Sequence, residues 1–254
     1  MTRDPSRMGE QIGVEVMFGD FDKPASLAEA AAGVSTLLLL SAPGPLLVTH
    51  DASMLDAALA AGVTKVVKVS AIGTGERDNA KVGAWHRPGE EAVRTSGVTW
   101  TILRPSSFGS NALRWAGQIR AGDPIPNMTG SGAQGVVDPR DVAAVAVAAL
   151  TSPNHDGQTY TLTGPQLLSV PDQTTQLGEV LGRTLATIDV HRDTAREQML
   201  ASGMDRAFVD VVIHGAEFVR DGGNAVLTDD VQSVLGRPPR SFRTWAEDHR
   251  NAFG

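Results

Sequence analysis

The chain has 254 residues, 41% hydrophobic and 20% charged, which excludes a disordered polymer and suffices for one large domain, alone or with a smaller lobe. A formal net charge of -7 argues against nonspecific binding to nucleic acid or membrane, and the lack of cysteine excludes disulfides and thiolate metal sites. The opening MTRDPSRMGEQ lacks the apolar core of a signal peptide and the longest apolar run, TLLLL, is far too short to span a bilayer, so a soluble cytoplasmic protein is expected.

Val14–Phe18 is predicted as a short strand, followed by the polar turn Gly19–Asp22. Pro24 suits the first turn of a helix over Ala25–Ala32, which Gly33 stops. Thr36–Leu40 is a continuous apolar run, the pattern of a strand buried on both faces, and it ends at Ser41, Ala42 and Pro43. Asp51–Ala61 reads as a helix closed by Gly62, and Lys65–Val69 as a strand ending at Ser70. A further helix lies within Ala80–Ser96, and Trp100–Leu103 is a strand ending at Pro105. This alternation with short loops predicts a doubly wound parallel sheet of the α/β class, with helices on both faces. Ligands of such sheets bind beyond the C-terminal strand ends, here Gly19–Asp20, Ser41–Pro43, Ser70–Gly73 and Pro105–Phe108.

Beyond Phe108 the rhythm changes. A helix is expected over Asn111–Ala121, then an irregular Gly/Pro segment to Val137, a helix over Arg140–Leu150 and a strand over Thr159–Leu162. Val170–Leu181 reads as a helix, Leu185–Val190 as a strand, Asp193–Val219 as mostly helical and Phe242–Ala252 as a last helix. Residues 1–164 are therefore expected to form the Rossmann-like unit, with 109–137 contributing to the substrate cleft, and 165–254 a smaller, mostly helical lobe.

Gly130, Gly132 and Gly135 spell G-x-G-x-x-G, the spacing of a dinucleotide-binding turn. Such a turn must leave a buried strand and enter a helix. Here two prolines precede it, which excludes a central parallel strand. The residues after Gly135 are strand-like, and the next helix has its own start in Asp138, Pro139 and Asp141. The segment reads as a loop beside the substrate cleft.

Four segments carry a resemblance: TRDPSR (2–7), VEVMFGDFDKPASLAEAAAGVSTLLLL (14–40), SGVTWTILRPSSFGSN (96–111) and GRPPRSFRTWAEDH (236–249). With them the chain resembles the NmrA-like, atypical short-chain dehydrogenase/reductase family of NAD(P)H-binding proteins across essentially its whole length. Family members normally begin with a strand, glycine-rich turn, helix and second strand that this sequence lacks. An N-terminally truncated Rossmann-like sheet is therefore expected, with NADP(H) or NAD(H) binding weakened or absent and an exposed sheet edge that a homodimer could cover.

The resemblance places Arg3 and Arg7 at the adenosine 2′-phosphate, Asp20 and Phe21 at the adenine, and Ser41, Ala42 and Pro43 at the ribose. Pro105, Ser106 and Ser107 would meet the nicotinamide end, and Phe108, Asn111 and Trp115 the substrate. The Tyr–Lys dyad common in short-chain dehydrogenases is absent, since the single tyrosine, Tyr160, has Gly164 four places on. On the helix that would carry it, His86 and Lys81 are the candidate proton donors. Ser70, at a strand end, is a candidate to hold a substrate oxygen. The scattered histidines show no ligand spacing, so no metal site is expected. The resulting expectation is an oxidoreductase acting on a small carbonyl, quinone or enone. A non-catalytic NADP(H) sensor and a cofactor-free isomerase, cyclase or lyase stay open as alternatives.

Overall fold

The computed structural model describes residues 1–9, 12–75 and 83–254. The elements run α1 (Pro24–Ala31), β1 (Thr36–Leu39), α2 (Leu47–Ala60), β2 (Lys65–Val69), α3 (Arg87–Thr95), β3 (Thr99–Pro105), α4 (Ala116–Ala121), β4 (Ile125–Asn127), β5 (Gln134–Gly135) and α5 (Pro139–Thr151). They continue with β6 (Gln158–Leu162), β7 (Leu167–Leu168), α6 (Val170–Leu181), β8 (Thr187–Asp189), α7 (Arg192–Ala201), α8 (Arg206–Arg220), α9 (Asp230–Leu235) and α10 (Phe242–Asp248).

The central sheet is parallel, in the order β1-β2-β3-β6, with Thr36 opposite Lys65, Lys65 opposite Thr99 and Thr101 opposite Gln158. The two-residue period of a strand sends alternate side chains to opposite faces. Val66 joins Leu27, Leu39, Leu55 and Val93 in the core under α1, α2 and α3, while Val67 joins Leu103, Val145 and Leu162 in the core under α5 and α9. Helices thus cover both faces, as expected for the α/β class. A separate core of Ile119, Ile125, Leu177, Phe242, Trp245 and Phe253 packs around α4, α6 and α10.

Several expectations need correction. Val14–Phe18 is not a strand. Among the described residues only Phe18 of this segment pairs, in a single bridge with Thr2 (Thr2 N to Met17 O, 2.9 Å; Gly19 N to Thr2 O, 3.0 Å). The helix expected over Asn111–Ala121 divides into a 3-10 segment, Gly109–Trp115, and the short α4. The segment before Gly130 does hold a strand, β4, but it pairs only with β8, so Pro126 sits outside the central sheet.

The glycines of the G-x-G-x-x-G stretch serve packing. A Cβ on Gly132 would lie 2.1 Å from the Val219 carbonyl oxygen, and one on Gly135 2.7 Å from that of Val226. The loop is held against the end of α8 and the residues after it instead of opening a helix. Asp138 caps α5 through the Arg140 N–H, as the sequence implies.

Candidate active site

The C-terminal ends of β1, β2 and β3 meet the first turn of α3, and a buried polar cluster fills the junction. Ser41 follows β1 and donates to Asp51 Oδ1 at 2.8 Å. Asp51, on α2, pairs through its other oxygen with Lys68 of β2, and both side chains are 1% exposed. Two residues on, Ser70 donates to Glu90 Oε1 at 2.6 Å. Arg104 closes a two-pronged contact on the same carboxylate (2.9 and 2.7 Å), and Arg94 adds a third guanidinium bond at 2.9 Å. Burial pulls the Glu90 carboxyl upward. The hydrogen bonds from Arg104 and Ser70 and the nearby guanidinium charge outweigh burial and hold it below the ordinary carboxylate range.

His86 occupies the N-cap of α3, where its carbonyl accepts the Glu90 N–H at 3.0 Å. Its Nδ1 is buried without a hydrogen-bond partner among the described residues. Burial first, and the Lys68 charge second, lower its pKa to about 4 against opposing pulls from Asp51 and Glu90. At neutral pH the ring is uncharged. It has one N–H to donate and one nitrogen to accept, and no imidazolium to spend as a strong acid.

Ser106, past β3, is 4% exposed, and its Oγ likewise has no partner. Its N–H is fixed by the Leu162 carbonyl at 2.9 Å, and the Pro105 carbonyl accepts the Ile72 N–H at 3.0 Å. Ser107 Oγ accepts from the exposed Asn111 at 3.3 Å. Phe108 packs against the core with Leu103 and Val137, and Trp115 packs on the separate core of Phe242, Trp245 and Phe253. Trp85, beside His86, faces Phe208 of α8 with ring centroids 6.4 Å apart and an interplanar angle of 11°, which brings α8 to this corner.

The Thr2–Phe18 bridge brings the turn that begins at Arg3 beside Gly19, the residue before Asp20, while Arg7, itself exposed, ends the 3-10 turn Pro5–Arg7. Asp20 caps its own turn through the Asp22 N–H, and Phe21 stacks on His50 at 4.4 Å. Ala42 and Pro43 are exposed at the β1 exit. Ser70 has given its only proton to Glu90, leaving lone pairs for any further contact. Lys81 lies outside the described residues.

The structure adds Lys68, Asp51 and Glu90, which the sequence reading leaves out. Lys68 carries a signal: a lysine inside a run buried on both faces must find a partner. Glu90 and Asp51 look like ordinary helix polar residues until the fold brings their partners. Among the described residues no group of three or more His, Asp or Glu could hold a metal ion. No described helix is long and apolar enough to cross a membrane.

A family described as NAD(P)H-binding matches residues 1–153. A (4-alkanoyl-5-oxo-2,5-dihydrofuran-3-yl)methyl phosphate reductase of Streptomyces griseus is 38% identical over 100% of this chain and 89% of its own length. An NAD(P)H azoreductase of Xenophilus azovorans is 33% identical over 100% and 90%. Among solved structures, a Citrobacter triphenylmethane reductase complexed with NADP(H) is similar at a TM-score of 0.77, with 26% identity over 94% of this chain and 84% of that one. An NADPH-dependent quinone oxidoreductase of Escherichia coli shares the fold at a TM-score of 0.80 with 21% identity over 94% and 84%.

Proposed function

The chain belongs to the NAD(P)H-binding family, and from that premise we propose that this oxidoreductase reduces a small carbonyl, quinone or enone at the Ser106–His86 end of the sheet. Relatives that are reductases lend no support to a regulatory or cofactor-free role. One observation carries the placement. Among the described residues, His86 Nδ1 and Ser106 Oγ are buried polar atoms without partners; Ser106 directly follows the end of β3, and His86 begins the α3 turn that packs on Lys68 of β2. Such atoms cost free energy unless a ligand satisfies them, and strand ends are where α/β sheets take ligands. A nicotinamide nucleotide, with its amide and ribose hydroxyls, fits that demand.

Reduced nicotinamide, when bound, supplies the hydride. The chain's own residues do the rest. Pro105, Ser106 and Ser107 hold the amide end, Ser41, Ala42 and Pro43 the ribose, Asp20 and Phe21 the adenine, and Arg3 and Arg7 a phosphate. His86 donates a hydrogen bond from its uncharged ring to the substrate oxygen, with Lys81 as the further proton donor and Ser70 as an acceptor. Phe108, Asn111 and Trp115 border the substrate under the smaller lobe, residues 165–254. A cytoplasmic homodimer that covers the outer edge of β1 belongs to the same reading. Light scattering on the eluting protein checks it, and a monomer at every concentration would rule the dimer out.

Calorimetric titration with NADPH and NADH tests cofactor binding and, through the Kd, the expectation of weakened affinity. Micromolar binding supports the reading, and no binding of either nucleotide refutes it. Binding without turnover on a carbonyl, quinone and enone panel would overturn the reductase assignment. His86→Ala should lower kcat about 100-fold, the usual scale for a positioned proton-transfer group. An unchanged kcat would remove His86 from the site.

A further inference from the structure

A buried ion pair is a poor stabilising device, since well-packed apolar residues in its place are often as stable or more so. The Lys68–Asp51 pair therefore needs another reason, and its neighbours supply one. The first turn of α3 lies directly on it. A Cβ on Gly89 would stand 2.3 Å from Asp51 Oδ2 and 2.9 Å from Lys68 Cε, so the helix backbone approaches the pair at a distance only glycine permits. His86 begins that turn. Ser41 holds the second oxygen of Asp51 and fixes the pair's orientation.

We propose that Lys68 and Asp51 are positioning residues for His86: their ion pair seats the first turn of α3 through Gly89 and keeps a fixed cation beside the imidazole. The inference rests on the site reading above for its catalytic consequence only. Among the described residues the charged groups that act on the ring are Lys68 from β2, Asp51 from α2 and Glu90 from α3 itself, with Glu90 held by Arg104 and Arg94. Burial is the first reason the ring stays uncharged; the Lys68 charge acts in the same direction, against Asp51 and Glu90.

The test uses the full chain labelled with 13C-histidine, the His86 resonance being identified by its loss in His86→Ala. Wild-type His86 should stay uncharged down to about pH 4. In Lys68→Met its midpoint should rise by roughly one unit or more. In Lys68→Met/Asp51→Asn, which leaves no buried charge unpaired and keeps an acceptor for Ser41, it should rise by less. The acid limb of kcat/KM should follow. Gly89→Ala, which removes no polar group, should lower kcat about tenfold with cofactor KM nearly unchanged, the mark of a displaced catalytic group. A folded double variant with an unmoved His86 midpoint, together with a Gly89→Ala enzyme of normal kcat, would overturn the proposal. A midpoint that moves while the pH–rate profile stays fixed would uphold the positioning of His86 and refute its place in the active site.

Discussion

Glu90→Gln tests whether the buried cluster holds the strand ends and α3 together. Glu90 is 1% exposed and accepts four hydrogen bonds, from Ser70, Arg94 and both prongs of Arg104. Arg104 is 20% exposed and Arg94 32% exposed, so the first contact is the stronger. The largely desolvated Arg104 contact should cost about 2–3 kcal/mol when the charge is removed, and the helical Arg94 pair about 0.5. The sum, about 3 kcal/mol, corresponds to a fall in Tm of roughly 6–12 °C for a chain of this size. The pH dependence adds a second, independent signature. Glu90 is held below its ordinary value, so its stabilisation is complete above the carboxylate's unfolded pKa and fades as pH falls through the lowered folded value. The gap between wild type and variant should be widest at neutral pH and close in acid. Urea unfolding at several pH values reads it. A gap below about 1 kcal/mol at pH 7, or one that persists unchanged in acid, would refute the reasoning.

Three further expectations follow from single residues. Ser106→Ala should weaken NAD(P)H binding about three- to tenfold while leaving Tm unchanged or raised, because the lost hydroxyl makes no bond among the described residues; a lowered Tm with unchanged Kd would contradict this. Asp141→Asn should cost about 2–3 kcal/mol, since this fully buried carboxylate receives Arg237 at 2.7 Å, the Arg240 N–H at 2.6 Å and the Arg240 side chain. Limited proteolysis near Gly236 should speed up accordingly. Gly132→Ala should destabilise by about 1–3 kcal/mol by overpacking against Val219, with no change in cofactor affinity; lost affinity at full stability would return the glycine motif to the cofactor site.

The central strands were legible because their signal is local. Lys65–Val69 is a β-branched apolar run bounded by turn residues, and it forms β2 at those same bounds. Val170–Leu181 likewise forms α6 as read, opened by Pro171 behind the Ser169 cap and closed by Gly182 in the left-handed region. Val14–Phe18 has the same local look and fails as a strand, because a strand also needs a paired neighbour and, among the described residues, it has a single bridge, from Phe18 to Thr2. The short α9 escaped the sequence reading, its six residues giving too few turns for a period to show.

Composition, turn residues and apolar period therefore determined the α/β class, most element positions and the strand ends where a ligand would sit. They act between residues close in the chain, and the sequence displays those neighbours directly. The tertiary structure alone decided which polar residues met. Lys68 reaches Asp51 across 17 positions and Thr161 reaches Asp230 across 69, and no local pattern encodes either pairing. The lowered pKa of His86 belongs to the same class, since its causes are burial first and then the charge of Lys68 on β2, 18 positions earlier in the chain.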